Sequence, residues 1–143
     1  MDNITHRIAE SIRANDFSTY QRKRYPAIQE GEFVRFTDED FHGVDFGQFV
    51  MGFFVFQNCN LDDAKHIYGQ PIYFINSSVR NVDFRGVKAI IEAKDCDFRG
   101  IKCDEEMQFV YGSGKLAARS RFINCKLDDE TSNFLSQQGV EIN

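Results

Sequence analysis

The sequence predicts an all-β solenoid in which the chain turns a corner every five residues, and three observations predict it. Fifteen of the 143 residues are Phe, with no Trp and only two Pro, so one flat ring fills the same kind of slot repeatedly. The stretch FQNCNLDD, beginning at Phe56, recurs as FINCKLDD, beginning at Phe122, with six of eight positions shared. The segments VDFGQ from Val44, VDFRG from Val82 and CDFRG from Cys96 share one five-residue pattern with CNLDD and CKLDD. Self-similarity at a short fixed period is the mark of a repeat architecture.

Each unit carries a large apolar residue at its centre, a small or apolar residue two positions earlier, and polar residues elsewhere. Residues two apart on an extended chain face the same side, so Cys59 and Leu61 point one way. A continuing strand would turn residue 63 inward, but Asp63 stands there. The chain therefore bends and presents the next inward pair. Centres fall at Phe41, Phe46, Met51, Phe56 and Leu61, then at Phe74, Val79, Phe84 and Ala89. Phe98 pairs with Cys103, and Phe122 with Leu127. The gaps between these runs are 13, 9 and 19 residues, none a multiple of five, which predicts slips at about 62–73, 90–97 and 104–121.

These units resemble the pentapeptide-repeat family, over roughly residues 37–130. The resemblance implies a right-handed, four-sided β-helix in which four units make one coil. It divides the chain into an N-terminal helix and arm (1–36), the repeat region (37–130) and a C-terminal cap (131–143).

A stack of repeats needs covered ends. Ile4, Ile8 and Ile12 recur at helical spacing, with Asp2 or Asn3 as candidate N-cap, and the helix is expected to end before Pro26. The run QRKRY at Gln21–Tyr25 reads as a basic contact patch or, preferably, a solvated turn. The tail predicts a short helix from about Thr131, stopped near Gly139, with Phe134, Leu135, Val140 and Ile142 covering the last repeat. The resemblance adds a monomer or a homodimer joined through this cap.

Loops are expected at 64–71, punctuated by Gly69 and Pro71, and at 104–121, where Val110 and Tyr111 precede Gly112-Ser113-Gly114 and Leu116. The second reads as a hairpin or projecting loop. Within it, YGSGKL lacks the glycine spacing of a phosphate loop and the Ser or Thr after Lys115, and reads as a turn.

Chemistry is sparse. Cys59, Cys96 and Cys125 occupy the small inward slot and Cys103 a central one, with no close Cys pair of the zinc kind, so they read as core filler. Four such thiols favour a reducing, cytoplasmic setting. His6, His42 and His66 sit on separate segments without a paired nucleophile, so no enzyme, cofactor or metal is predicted. No apolar run is long enough to span a membrane, and the first ten residues do not form a secretory signal.

Net charge is −5, with +1 on residues 1–36 and −6 on residues 37–143, which disfavours direct nucleic-acid binding. The acids cluster at Asp38-Glu39-Asp40, Asp62-Asp63, Asp104-Glu105-Glu106 and Asp128-Asp129-Glu130. With Phe109 and Tyr111 they are the candidate partner-binding residues. The leading expectation is a non-enzymatic module that binds a protein partner on a rigid platform, using the loops at 64–71 and 104–121. The alternative, drawn from the resemblance, is an acidic DNA mimic that inhibits a nucleic-acid enzyme such as a type II topoisomerase or a defence nuclease.

Overall fold

The computed structural model describes residues 4–29, 33–49, 54–112, 115 and 117–143, without the side chains of 24–29 and 70. The candidate cap Asp2 or Asn3, the centre Met51, and Ser113, Gly114 and Leu116 of the expected loop lie outside the described residues.

Two helices begin the chain, α1 (Ile4–Arg13) and α2 (Phe17–Gln29). Ile8 and Ile12 are buried, while Ile4 is exposed. Asn15, in the left-handed conformation at φ 57°, ends α1. Asp16 then accepts hydrogen bonds from the Thr19 amide (3.1 Å) and hydroxyl (2.7 Å), satisfying a donor at the start of α2. The single helix ending before Pro26 is thus corrected. A capped second helix runs through Pro26, and Gln21–Tyr25 lies on it rather than in a turn.

Six parallel strands follow in one sheet, ordered β1 (Val34–Thr37), β2 (Phe54–Gln57), β3 (Gly69–Ile75), β4 (Ala89–Lys94), β7 (Arg121–Ile123) and β8 (Glu141–Ile142). Between β4 and β7 stands an antiparallel hairpin of β5 (Val110–Tyr111) and β6 (Ala118–Arg119). Helix α3 (Asp129–Gln138) lies between β7 and β8. Gly139, at φ 92°, ends it, its amide and that of Val140 bonding back to Ser136 and Leu135 carbonyls.

This arrangement overturns the expected all-β solenoid, the right-handed four-sided β-helix. Over the described residues the fold is mixed α/β, with three helices and an open sheet whose edges are β1 and β8. The five-residue spacing selects which side chains face inward, but it does not hold the ladder together over the whole circuit. Each of the first four strands and β7 is followed by Asp or Asn at positive φ (Asp38, Asn58, Asn76, Asp95 and Asn124). That corner breaks the strand, because the left-handed conformation costs a short polar side chain little. Beyond it, among the described residues, isolated parallel bridges replace the continuous ladder, as in Asp40 to Asn60 to Ser78 to Asp97 to Lys126, with further backbone and side-chain hydrogen bonds between the segments.

The expected slips are also corrected in part. Residues 90–97 hold most of β4 rather than a bulge. The slip expected at 62–73 coincides with a register shift between Gly69 and Ile72 of β3, while within 64–71 Ala64 and Ile67 are buried, Lys65 bridges Asp45 and Asp83, and Gly69–Pro71 opens β3. The true cause of the slips is unequal returns to the sheet. Val34 faces Phe54 after 20 residues, Phe54 faces Ile72 after 18, and Ile72 faces Ile91 after 19.

Inside, one row runs Phe36, Phe56, Phe74, Ala93 and Phe122 from β1 to β7, with Phe41, Phe46, Phe84 and Phe98 behind it, every Phe fully buried. Phe56 and Phe74 stack at 5.2 Å and 12°, and Phe98 meets Phe122 edge-on at 4.8 Å. Each such burial contributes about 1.5–3 kcal/mol. Tyr20 of α2 extends the core by meeting Phe49 edge-on at 4.7 Å, and Leu135 of α3 is buried at the other end.

Candidate functional site

Most of the candidate acids are occupied by the fold. Asp38 forms a left-handed corner, its amide donating to the Gln57 carbonyl. Glu39 accepts from Arg13 at 2.8 Å and lies 2.7 Å from His6, tying α1 to the segment after β1. Asp40 holds the His42 amide. Asp62 accepts from the Ser78 hydroxyl (2.6 Å) and the Arg80 amide (2.9 Å), while Asp63 sits at φ 63°, 3.5 Å from His42. Asp104 gathers the amides of Gly86, Glu106 and Met107, and Asp128 accepts from the Gly100 amide. Glu105, Glu106, Asp129 and Glu130 remain exposed. The last two stand in the first turn of α3, where the helix dipole favours negative charge.

Nor do these acids form one stripe. Arg80, Arg85 and Arg99 stand among them, and Arg85 and Arg99 clamp Asp83 and Asp97 at 2.8 and 2.7 Å. The Arg85 guanidinium pulls the Asp83 carboxyl down to about 2, against the opposing effect of partial burial. Asp97 is lowered by Arg99 in the same way, and Asp45 chiefly by its hydrogen bond with His66.

Phe109 and Tyr111 part company. Phe109 is fully buried, edge-on to Phe84 at 5.3 Å, and belongs to the core. Tyr111 is half-buried on the hairpin strand β5. The hairpin base is held by α3, since the Gln138 amide group donates to the Met107 carbonyl at 2.7 Å and its oxygen accepts from the Phe109 amide.

A surface absent from the sequence reading lies on the outside of the sheet. Strand register puts Arg35, Val55, Tyr73, Glu92, Arg121 and Glu141 in one row across all six strands. The β4–β8 half is an ion-pair ladder, with Arg121 between Glu92 and Glu141. The β1–β3 half is apolar. Phe33, 44% exposed, meets Tyr73 edge-on at 5.4 Å, and with Arg35, Val55 and Ile75 they line a shallow depression of about 240 Å³. Arg35 reaches across to the Gln57 side chain at 2.8 Å. Strand alternation could have hinted at this row, but only the register between strands assembles it.

Three of the four thiols, Cys59, Cys96 and Cys125, fall in one column, and Cys103 lies apart from it. Equal offsets at Lys94 to Ile123 and Asp97 to Lys126 bring Cys96 opposite Cys125. The Cys59 amide donates to the Ser77 hydroxyl, and the Ser77 amide to Cys96 Sγ at 3.4 Å. Desolvation pushes Cys59 and Cys103 up to about 11. The polar interaction of the two thiol groups raises Cys96 and holds Cys125 down at about 7. All four are free thiols.

Among the described residues, no group of three or more His, Cys, Asp or Glu is placed to hold a metal ion, and no helix is long and apolar enough to cross a membrane. His6, His42 and His66 each face carboxylates rather than a nucleophile. No protein-family model matches the chain, and no curated protein matches it.

Proposed function

We propose that the protein is a non-enzymatic protein-binding module whose contact surface is the apolar half of the outer sheet face. The observation that carries this reading is the patch of Phe33, Tyr73 and Ile75, floored by the buried Val55, beside the Arg35 guanidinium. Tyr and Arg together are the side chains that most often anchor protein interfaces. A stacked Phe core lies directly beneath, so the patch sits on a surface that loses little freedom on binding. The partner that fits presents an apolar side chain to the depression and a carboxylate to Arg35. Four free thiols support a reducing, cytoplasmic setting for this encounter.

The acidic DNA mimic has weaker support, because arginines interrupt the acids and backbone amides occupy several of them. Its remaining basis is the exposed group Glu105, Glu106, Asp129 and Glu130. One capture experiment separates the two. Wild-type protein is coupled to resin beside an Arg35→Glu/Tyr73→Ala variant and a variant carrying Lys at those four acids. A partner retained by the lysine variant and lost by the Arg35/Tyr73 variant is the expected result. The opposite pattern, with salt-sensitive capture, would sink the sheet-face reading and favour the mimic.

A further inference from the structure

Cys96 and Cys125 stand 29 positions apart in sequence yet face each other across the junction of β4 and β7. The register is fixed on both sides, by Lys94 with Ile123 and by Asp97 with Lys126, and the Lys126 amide donates to the Cys96 carbonyl at 2.9 Å. Neighbouring strands lie about 4.7–4.9 Å apart, inside the roughly 4.4–6.8 Å Cα separation that a disulfide spans. The two thiols lie close enough for each to perturb the other's ionisation, while each donates to a carbonyl of its own segment, Lys94 for Cys96 and Ile123 for Cys125. Cys96 is 3% exposed, whereas Cys125 is half-buried. Both line an open depression of about 650 Å³ with Asn76, Asp95, Asp97, Asn124 and Lys126. That volume lies within the range of about 300–1,000 Å³ typical of small-molecule sites.

We propose that Cys96 and Cys125 are a redox-active dithiol that a low-molecular-weight disulfide of the glutathione class oxidises to an intramolecular disulfide. The Cys125 thiolate attacks one sulfur of the external disulfide, whose S–S bond breaks, and the departing thiolate takes up a proton. Cys96 then gives its proton to solvent and attacks Cys125 Sγ, releasing the second external thiol. Two protein thiols are oxidised and one disulfide is reduced to two thiols. The roles follow from position, because the outer sulfur must be reached first and the inner one resolves the mixed disulfide. The low Cys125 value of about 7 supplies thiolate at neutral pH. The product staples β4 to β7 around the hairpin. This site is independent of the sheet-face reading, since neither cysteine lies on that surface.

The test uses the full chain and oxidised glutathione. After exposure, unreacted thiols are alkylated under denaturing conditions and the peptides mapped. The expected map links Cys96 to Cys125 and leaves Cys59 and Cys103 alkylated. A Cys96→Ser variant should stop at a stable glutathionyl adduct on Cys125, and a Cys59→Ser/Cys103→Ser variant should oxidise as the parent does. With iodoacetamide at pH 7, Cys125 should react about tenfold or more faster than Cys103. Persistence of four reduced thiols, a bridge involving Cys59 or Cys103, or equal alkylation rates would each overturn the proposal.

Discussion

At the scale of single residues, the corner positions decide where strands stop. Asn58, Asn76, Asp95 and Asn124 hold φ between 47° and 57°, and they are also joined sideways. The Asn76 side-chain amide donates to Asn58 at 2.7 Å, and that of Asn124 to Asp95 at 2.6 Å. Two effects are therefore mixed at each corner, a tolerance for left-handed backbone and a hydrogen bond. Substitution separates them. Asn76→Gly removes the hydrogen bond and leaves a residue at ease in the left-handed region, whereas Asn76→Ala removes the bond and leaves a Cβ there without the local polar contact that lets Asn tolerate it, at about 1 kcal/mol more. Urea unfolding should rank the alanine variant below the glycine variant by about that amount. If the two are equally stable, the corner is held by the side-chain bond alone. The same logic explains why FQNCNLDD reappears. Phe56 and Leu61 fill the interior, Asn58 turns the corner, Cys59 packs behind it, and Asp62 holds the next turn through the Arg80 amide.

At the scale of elements, the hairpin between β4 and β7 behaves as an insertion. Gln108 bridges Lys88, and Arg121 faces Glu92, so Phe109 lies opposite Ala89 and Ser120 opposite Ile91. One residue, Ile90, separates the first pair of neighbours, where residues 110–119 separate the second. The Ser120 amide already donates to the Phe109 carbonyl at 3.0 Å, and the Ser120 hydroxyl accepts from the Ile91 amide at 2.9 Å. Deleting residues 111–119 and keeping Val110 would shorten the return from 29 to 20 residues, the spacing of Val34 to Phe54. The shortened protein should keep its circular dichroism spectrum and cooperative unfolding. The loss expected is about 1–2 kcal/mol, from the Arg119 bond to the Gly139 carbonyl and neighbouring contacts. Non-cooperative unfolding would mean that the hairpin is part of the core structure.

These elements also mark what the sequence could convey. The inward rings were legible because a five-residue alternation maps directly onto side-chain direction, as Phe41, Phe46, Phe56, Phe74, Phe84 and Phe98 illustrate. The sheet was not, since pairing depends on returns of 18, 19 and 29 residues that no local pattern records. Helix α2 escaped because Pro26 argues against a helix locally, while Asp16 and the packing of Tyr20 override it. Phe109 illustrates the converse limit, because an apolar residue at a loop edge gives no sign of whether it faces the core. The outer patch and the Cys96–Cys125 pair both arise between strands, where residues far apart in sequence acquire a common row.

For the whole molecule, charge and stability are linked through the acids that bridge successive segments. Asp45, Asp83 and Asp97 each carry a parallel backbone bridge and each have a lowered carboxyl, so their ionised forms are favoured by the folded state. The sign follows from Asp83, whose folded value is about 2 against a usual 3.8. A lowered folded value means that the unfolded chain binds the proton more tightly. The stabilisation is therefore complete above the usual value and is lost as pH falls from about 4 toward 2. Asp83→Asn should accordingly be less stable than the parent at pH 7, with the gap narrowing through that window as the parent's own carboxyl is protonated. Urea midpoints measured at pH 7 and near pH 2.5 report the difference, provided each form is still folded without denaturant. Salt distinguishes the cause, because an Arg85–Asp83 clamp near the surface is screened while hydrogen bonding to the Arg85 amide is not. The gap at pH 7 should therefore shrink in about 1 M salt without vanishing. A gap that is unchanged or widens as pH falls would show that Asp83 acts through packing, and that the low-lying carboxyls do not set the acid limit of this fold.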